Sequence, residues 1–564
     1  MGDPTSGEPP LYQPSPPTVK TPLYLSRWFS PAILLLAFLL RILWLGDKPA
    51  HFDEGVNGSF VDTLTQTGFY HYDPTNFHGP LHFYLLFLAQ TLLGHDLWVL
   101  RLPTALLSTA CVGLALAYRR FLNPHACQIA ALAIAISPAM VFYGRYAIHE
   151  SLLLFFLLLT GLGLAGLSQN AQPRDLWRTA LGITGLILTK ETYLIHLATF
   201  AIAIPCLLLY ERFSPSTLPP FSQKNLRPSD FVRVTLVSVA LLLFFYSGGF
   251  LDWPAQPLPD PDGLTPPRGA LAGLYECWRP WIQTSNLSAH HLTGHEKPPL
   301  YWLQLLGGFQ PITPENLTHF TPTIANEWPA ALGLLGSLAL LAPHHSRLSR
   351  FLAISGLGTL LAYSIIAYKT PWCLISIIWP FYFILGLGIV WSAKNLGRPL
   401  TAVLASLLAA SSLHATWQLN FHHPCDESEP YVYVQSREDV SELLIPLQRL
   451  LTQNPLHRYL TGHILVPEQH PWIWLLADFP KVDFPPLFPL PQPLDADFLL
   501  VDDPLVPDVE PRLHDVYFKS HLKIRGGSVD SSTLYLRKHR FQSLFPNRLP
   551  EFQPHPTNPE DSPK

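Results

Sequence analysis

Long apolar runs recur along most of the chain, and they constrain its fold more than any other feature. Eleven such runs are centred near residues 38, 108, 134, 159, 184, 201, 242, 336, 359, 382 and 408. Most of them approach the ~20 residues that a helix needs to cross ~30 Å of hydrocarbon. The sequence therefore predicts a mainly α-helical, polytopic membrane protein with about eleven transmembrane helices.

The composition changes before and after these runs. Residues 1–24 and 544–564 are rich in proline and polar residues, so we predict two disordered tails. The transmembrane domain is predicted over 25–420. Residues 421–543 mix β-type runs (PYVYVQS, HILVPEQ, DFLLVDD, STLYLRK) with an amphipathic segment, REDVSELLIPLQRLLTQ. That mixture is typical of a small soluble α/β domain.

The positions of the basic residues predict the topology. If the shorter apolar run at 80–94 does not cross, the N-terminal tail and the basic loops share one side, which the positive-inside rule makes cytoplasmic. We therefore predict an interfacial helix at 80–94 and a multi-pass protein of the plasma (inner) membrane. Its outer side carries a first loop at 47–97, a long loop at 252–327 and an extracytoplasmic C-terminal domain.

Charge and cysteine content exclude some classes of partner and site. The net charge is −4 and the positive charges are scattered, so nucleic acid is not an expected partner. The six cysteines show no metal-binding spacing. Cys277 and Cys425 both fall on the predicted outer side, where a disulfide and two free thiols fit the sequence equally well.

Two adjacent carboxylates, Asp53 and Glu54, lie where the chain leaves the first apolar run, in the motif HFDEG. A carboxylate at a membrane surface can serve as a general base towards a hydroxyl or as a metal ligand. A solvated pair at a helix end is the simpler alternative, and the two residues alone favour it.

Three cations have the same placement at the outer ends of other runs: Arg145 in YGRYAIHES, Lys190 in LTKETY and Lys369 in AYKTPWC. The planar guanidinium of arginine matches phosphate, although a side chain that snorkels to the interface would look the same. Taken with the two acids, these cations predict a pocket for a membrane-anchored phosphate beside a base.

The motif HEKPPLYW adds His295 and Glu296 as candidates for binding an acceptor or a metal. Their spacing matches no zinc pattern, and a solvated histidine-rich loop is the favoured alternative. A divalent metal is compatible with the sequence, which requires no cofactor.

Several motifs resemble a known superfamily. HFDEGVNGSFVDTL followed by HGPL is similar to the first outer loop of the protein O-mannosyltransferases, in the GT-C glycosyltransferase superfamily. GRYAIHES, LTKET, HEKPPLYW, YKTPW and PYVYVQSREDV together resemble most closely the bacterial and archaeal multispan proteins named flippase-activity-associated. The chain departs from the mannosyltransferase pattern at Gly79, where they have proline, and at Glu150, where they have aspartate.

The resemblance implies a GT-C-like fold and a glycosyltransferase that uses a polyprenyl-phosphate sugar as donor and a protein or glycan hydroxyl as acceptor. It implies Asp53 as the base and Glu54 beside the acceptor or a metal. Arg145, with Lys190 and Lys369, would hold the lipid phosphate. The same motifs supply residues that would shape the site: His51, His78, Tyr146, Glu150, Glu191 and Trp372.

One base and a stabilised leaving phosphate suffice for a single displacement, so we expect inversion at the anomeric carbon. The alternative function is a component of lipid-linked sugar flipping without transfer chemistry. Such a transporter should show repeated halves, and the sequence shows none. A non-catalytic scaffold also fits the sequence.

Overall fold

The computed structural model describes residues 28–73, 76, 78–169, 171–213, 225–251, 295–307, 327–340, 346–525 and 531–554. The tail 1–24, residues 252–294 and 308–326 of the predicted long outer loop, and Cys277 lie outside these ranges. The predicted Cys277–Cys425 alternatives therefore stay predictions.

Every predicted apolar run forms a helix. The first ten helices are α1 Phe29–Ile42, α2 Phe52–Thr67, α3 Leu81–Leu93, α4 Leu97–Ala117, α5 Pro124–Ile136, α6 Pro138–Tyr143, α7 Glu150–Leu167, α8 Pro173–Ile187, α9 Tyr193–Phe213 and α10 Pro228–Tyr246. The next five are α11 Tyr301–Gly307, α12 Trp328–Ala339, α13 Arg347–Ile365, α14 Leu374–Asn395 and α15 Arg398–Trp417. Within the described ranges, seven helices are long and apolar enough to cross a membrane, which confirms a polytopic, mainly helical protein.

The helix α14 lies at the centre of the bundle, where its residues from Leu374 to Gly386 are all buried. Glycines allow its neighbours to approach closely. A Cβ at Gly386 would lie 2.2 Å from the Ala126 carbonyl oxygen of α5, so the two backbones are in direct contact, as small residues permit in membrane bundles. The helix α3 has 13 residues, short of the ~20 of a spanning helix.

The C-terminal region forms a small α/β domain around a five-stranded sheet. Its strands are β1 Gly462–Leu465, β2 Val482–Asp483, β3 Phe498–Asp502, β4 Tyr517–Lys523 and β5 Ser531–Arg537, in the order β2-β1-β3-β5-β4. Strand β1 is parallel to β2 and β3, and β5 is antiparallel to β3 and β4. Its helices are α16 Ser441–Gln453, α17 Trp472–Leu475, α18 Val506–Val509 and α19 Lys538–Phe541.

Three of the four predicted β-type runs lie in strands, and the fourth does not. The run PYVYVQS forms an irregular connection in which Val434 has a positive φ of 52°, a conformation that breaks a regular strand. Among the described residues only its end pairs, through one isolated bridge between Gln435 and His51 and a second between Ser436 and Arg525. At the other end of the domain, Phe552 pairs with Tyr517, so the packed structure continues beyond residue 543.

Candidate active site

The helix α2 begins at the motif HFDEG, and its capping leaves Asp53 unpaired. The His51 side chain accepts a hydrogen bond from the Asp53 backbone N–H at 3.0 Å, and Glu54 accepts one from the His51 backbone N–H at 2.9 Å. This reciprocal arrangement satisfies donors that a helix start would otherwise leave exposed. Among the described residues, the half-buried Asp53 carboxylate has no hydrogen-bond or ion-pair partner. It is therefore available to a ligand.

Glu54 has the opposite environment. It is fully buried, and Arg101 of α4 donates to both of its carboxylate oxygens at 2.7 and 2.6 Å, while the Ala147 backbone N–H donates to one of them at 2.8 Å. Burial raises the pKa of Glu54, but the Arg101 guanidinium outweighs this effect and lowers the pKa to about 2. In this position the Glu54 oxygens anchor the first loop to α4, and its contact with an acceptor or a metal stays a prediction.

The motif HGPL lies against the segment LTKET. His78 and Lys190 form an antiparallel bridge, and the Gly79 backbone N–H donates to the Thr189 carbonyl at 3.0 Å. A Cβ at Gly79 would lie 2.3 Å from the Leu188 backbone, so only glycine permits this approach. The departure from the mannosyltransferase pattern at this position therefore has a packing reason.

Ion pairs surround this junction. Lys190 pairs with Glu150 inside the protein, and His78 Nδ1 lies 2.8 Å from the Glu191 carboxylate. The ring of His149, which the sequence did not single out, lies 4.3 Å from that of His78. The predicted residues are thus together, but the Lys190 ammonium already has an anionic partner.

The segments HEK and YKT run antiparallel to each other. The Lys297 backbone N–H donates to the Ala367 carbonyl at 3.1 Å, and the Lys369 backbone N–H donates to the His295 carbonyl at 2.9 Å. Lys369 Nζ donates to the carbonyl oxygens of Lys297, at 3.1 Å, and of Ile366. In this position the Lys369 ammonium stabilises the paired segments.

Asp53 lies near His295, Tyr433 and His470, and we call these four residues the Asp53 cluster. The Tyr433 hydroxyl lies 2.6 Å from His295 Nδ1, and the His470 ring packs against Phe52, the residue before Asp53, with centroids 5.7 Å apart. Burial and the neighbouring Lys297 lower the pKa of His295, and Asp53 opposes them. Burial also lowers the pKa of His470, which nearby carboxylates including Asp53 oppose. The charge of Asp53 therefore acts on both imidazoles.

Aromatic rings pack next to the Asp53 cluster. The His51 ring packs edge-on against Tyr146 and Trp372, with centroids 5.2 and 5.8 Å away. His51 Nε2 lies 2.8 Å from the Tyr433 carbonyl oxygen, and the Tyr146 hydroxyl donates to Gln435 at 2.6 Å. The three predicted site-shaping residues therefore join the first outer loop to the connection that leads into the C-terminal domain.

Arg145 occupies a different environment from the predicted one. It is 3% exposed and donates to the carbonyls of Leu40, Leu43 and Trp44 at 3.1, 2.7 and 2.9 Å, where helix α1 ends. Its guanidinium also lies 4.8 Å from the centre of the Phe421 ring. The guanidinium therefore caps carbonyls that α1 leaves unsatisfied, and its role in phosphate binding stays a prediction.

The C-terminal domain packs directly on α2. A Cβ at Gly55 would lie 2.4 Å from Pro471, and one at Gly58 would lie 2.4 Å from the Trp474 ring. The two glycines thus form a flat strip that receives α17, and this contact brings His470 into the Asp53 cluster.

The metal candidates are separated from further ligands. His295 belongs to the Asp53 cluster and Glu296 follows it in the sequence, but the described part of the chain contains no group of three or more His, Cys, Asp or Glu side chains arranged to hold a metal. Glu296 instead pairs through its backbone with Tyr368.

The chain matches one protein-family model over part of its length and resembles several solved structures. Residues 77–218 match the family model described as dolichyl-phosphate-mannose-protein mannosyltransferase. No curated protein matches the chain. ArnT from Cupriavidus metallidurans bound to undecaprenyl phosphate is 12% identical, with a TM-score of 0.54 over 90% of this chain and 97% of that one. Its apo structure, also 12% identical, gives 0.55 over 90% and 96%.

The S. cerevisiae Pmt1-Pmt2 complex bound to the sugar donor is 11% identical, with a TM-score of 0.47 over 74% of this chain and 91% of that one. The ArnT likeness shows that the chain has the GT-C fold, as its motifs predicted. In the matched region the chain resembles the O-mannosyltransferases. The closer likeness to the flippase-activity-associated proteins stays a prediction.

Proposed function

We propose that this protein transfers a sugar from a polyprenyl-phosphate donor to an acceptor hydroxyl on the outer face of the membrane. The mannosyltransferase match and the fold shared with an undecaprenyl-phosphate-bound ArnT support lipid-linked sugar transfer in general. The observation that carries the assignment is the Asp53 carboxylate, which has no hydrogen-bond or ion-pair partner among the described residues and lies at the start of α2, the helix on which the C-terminal domain packs. A membrane-bound donor and a water-borne acceptor, protein or glycan, can both reach such a position.

In the proposed reaction Asp53 accepts the proton of the acceptor hydroxyl as the oxygen attacks the anomeric carbon. The bond from that carbon to the phosphate oxygen breaks, and the lipid phosphate leaves with both electrons. A single base on the acceptor side fits a single displacement, so the product should carry the opposite anomeric configuration from the donor. Glu54 acts indirectly, because its ion pair with Arg101 fixes the start of α2.

The test uses the full chain in liposomes with a polyprenyl-phosphate sugar and a cell-envelope acceptor fraction. We expect Asp53→Asn to abolish transfer, because the amide cannot accept the proton. Asp96→Asn is the matched control: Asp96 is an exposed outer-loop carboxylate that caps α4, and asparagine caps a helix equally well. Equal transfer rates for Asp53→Asn and wild type would remove the base assignment.

Two further experiments distinguish sugar transfer from lipid-linked sugar flipping and test for a metal. Movement of lipid-linked sugar across the bilayer without transfer would favour a role in flipping. Addition of EDTA tests the divalent metal that the sequence left open. Anomeric NMR of the product then decides between inversion and retention.

A further inference from the structure

The C-terminal domain contains a cavity of about 310 Å³ that shares no lining residue with the Asp53 cluster. It lies where helix α16, strands β4 and β5 and the segment 542–548 meet. Its volume is at the lower end of the ~300–1,000 Å³ that ligand pockets occupy. The cavity, which we call the domain cavity, is therefore large enough for a side chain or a small ligand.

The floor of the domain cavity is apolar. It consists of Ile445 and Pro446 of α16, Leu536 of β5, and Leu544 and Phe545 of the segment that follows α19. Ile445 is 45% exposed, so its surface is free to be buried against an incoming group. These side chains offer no hydrogen bond to the hydroxyls of a sugar ring, which would lose their water on entry. The floor therefore favours a hydrocarbon side chain.

The rim of the domain cavity carries two guanidiniums in different states. Arg548 is fixed, because it donates to the Lys519 carbonyl at 2.7 Å, to the Ser520 hydroxyl at 3.0 Å and to the Glu551 carboxylate at 2.9 Å. Arg449 is exposed and has no hydrogen-bond or ion-pair partner among the described residues. Its guanidinium is thus available to a carboxylate, which it matches in shape and charge.

The one carboxylate that lines the domain cavity does not serve Arg449. Glu442 lies seven residues earlier on the same helix, which places it two turns or ~10 Å away along the axis. It occupies the first turn of α16, where the helix dipole stabilises a negative charge. Arg449 lacks such compensation, so the complementary charge must come from a ligand.

The C-terminal end of the chain does not supply a suitable occupant. Its last ten residues, HPTNPEDSPK, contain no leucine, isoleucine, valine, methionine, phenylalanine, tyrosine or tryptophan. A separate polypeptide that carries an apolar side chain beside an acidic one has both groups that the cavity lacks.

The domain cavity is connected to the start of α2 through strand β4. Ser520 lines the cavity, and Arg525, five residues later, places its guanidinium 5.0 Å from the centre of the Phe52 ring. Five extended residues span at most ~18 Å. A short extended segment bound in the cavity is therefore long enough to reach the residue beside Phe52, which is Asp53.

We infer that the domain cavity is a docking site for a polypeptide segment in which an apolar residue is followed by an acidic one. The apolar side chain enters between Ile445 and Leu536, and the carboxylate pairs with Arg449. No covalent bond is made or broken there. Delivery of a neighbouring hydroxyl of the docked segment to Asp53 rests on the proposed function, whereas the docking itself does not.

The test measures peptide binding to the full chain in nanodiscs. The probe is a fluorescent peptide of glycine and serine residues with one leucine followed by one aspartate. Two companion peptides replace the aspartate by asparagine or the leucine by glycine, and oligogalacturonate serves as an acidic glycan. The variants are Arg449→Met, Arg449→Lys and Ile445→Ser. Arg458→Met and Leu456→Ser are the matched controls, at exposed positions of the same domain outside the cavity.

We expect the wild type to bind the leucine–aspartate peptide roughly tenfold more tightly than the glycine–aspartate peptide, because an apolar side chain is buried. Its preference over the asparagine peptide should be roughly threefold to fivefold, as for a partly exposed charge pair. Arg449→Met should bind the aspartate and asparagine peptides equally, and Arg449→Lys should keep the preference. Ile445→Ser should weaken both by roughly fivefold to tenfold.

Four results would overturn the inference. One is equal binding of the leucine and glycine peptides by the wild type. A second is a preference for aspartate that persists in Arg449→Met at an unchanged melting temperature. Tighter binding of oligogalacturonate that depends on Arg449 would assign the cavity to a glycan. Dimers of the protein that dissociate in Ile445→Ser would assign it to a second copy of the chain.

Failure of the docking site and failure of the proposed function give different results. Peptide binding that requires Arg449 in a protein that transfers no sugar would leave the docking site and remove the transfer reaction. Sugar transfer by the wild type without any preference among the peptides would do the reverse.

Discussion

The buried pair of Glu54 and Arg101 should contribute measurably to stability, and Glu54→Gln isolates that contribution. Glutamine keeps the shape of the side chain but leaves the Arg101 guanidinium, which is fully buried, without a counter-charge. Removing one member of a buried ion pair costs about 3–5 kcal/mol. The fall of the Glu54 pKa from 4.5 to about 2 corresponds to roughly 3 kcal/mol in favour of the ionised folded state.

The pH dependence gives this prediction a second readout. Because the pKa of Glu54 is lower in the folded protein, the stabilisation is present above the ordinary value of 4.5 and is lost as the pH falls towards about 2. The wild type should therefore lose stability between these values, and Glu54→Gln should lose less because it has no carboxylate to protonate.

The assay is denaturant titration in detergent micelles at pH 7 and at pH 3.5, followed by intrinsic fluorescence. Asp53→Asn is the control, since its carboxylate lies one residue away but has no ion pair among the described residues. We expect Asp53→Asn to unfold like the wild type and Glu54→Gln to lose a few kcal/mol. Indistinguishable unfolding of the two variants would refute the reasoning that separates a structural Glu54 from a chemical Asp53.

Two further predictions concern the attachment of the C-terminal domain. Gly58→Leu should separate α17 from α2, because even a Cβ would lie 2.4 Å from the Trp474 ring. The expected result is faster proteolytic release of the domain and loss of transfer. The control is Gly388→Leu, where a Cβ meets no atom within 4 Å; Gly68→Leu is unsuitable because Gly68 has a positive φ of 82°. Burial lowers the pKa of His95, but Asp62 on α2 and Asp478 on the C-terminal domain outweigh this effect and raise the pKa above 6.5. The charged His95 should therefore hold the domain on α2 fully below pH 6.5, and this attraction should weaken as the pH rises through the folded-state pKa. Alkaline pH should speed proteolytic release of the domain in the wild type and not in His95→Gln.

The helices were predictable from the sequence because the length of an apolar run is a direct physical requirement of the bilayer. The roles of single charged residues were less predictable from the sequence. Arg145 and Lys297 are both cations next to apolar or aromatic residues, and only tertiary contacts distinguish a guanidinium that caps α1 from an ammonium near the Tyr433 ring. The sequence does contain one signal for the role of Glu54. Arg101 interrupts an apolar run, and because a buried charge requires a partner, an acid of the first loop is a candidate for that partner.

The requirement that a buried charge has a partner also explains why Asp53 and Glu54 have different environments. At a helix start, the third residue can reach back to the cap, and Glu54 holds that position while Arg101 neutralises it. The second residue, Asp53, donates its backbone N–H to the His51 imidazole, and its carboxylate has no hydrogen-bond or ion-pair partner among the described residues. Under the proposed function, structural and chemical duties therefore fall on adjacent residues for a geometric reason. Exchanging the two acids, by Asp53→Glu with Glu54→Asp, should weaken the ion pair and displace the base together, so that stability and transfer fall in the same variant.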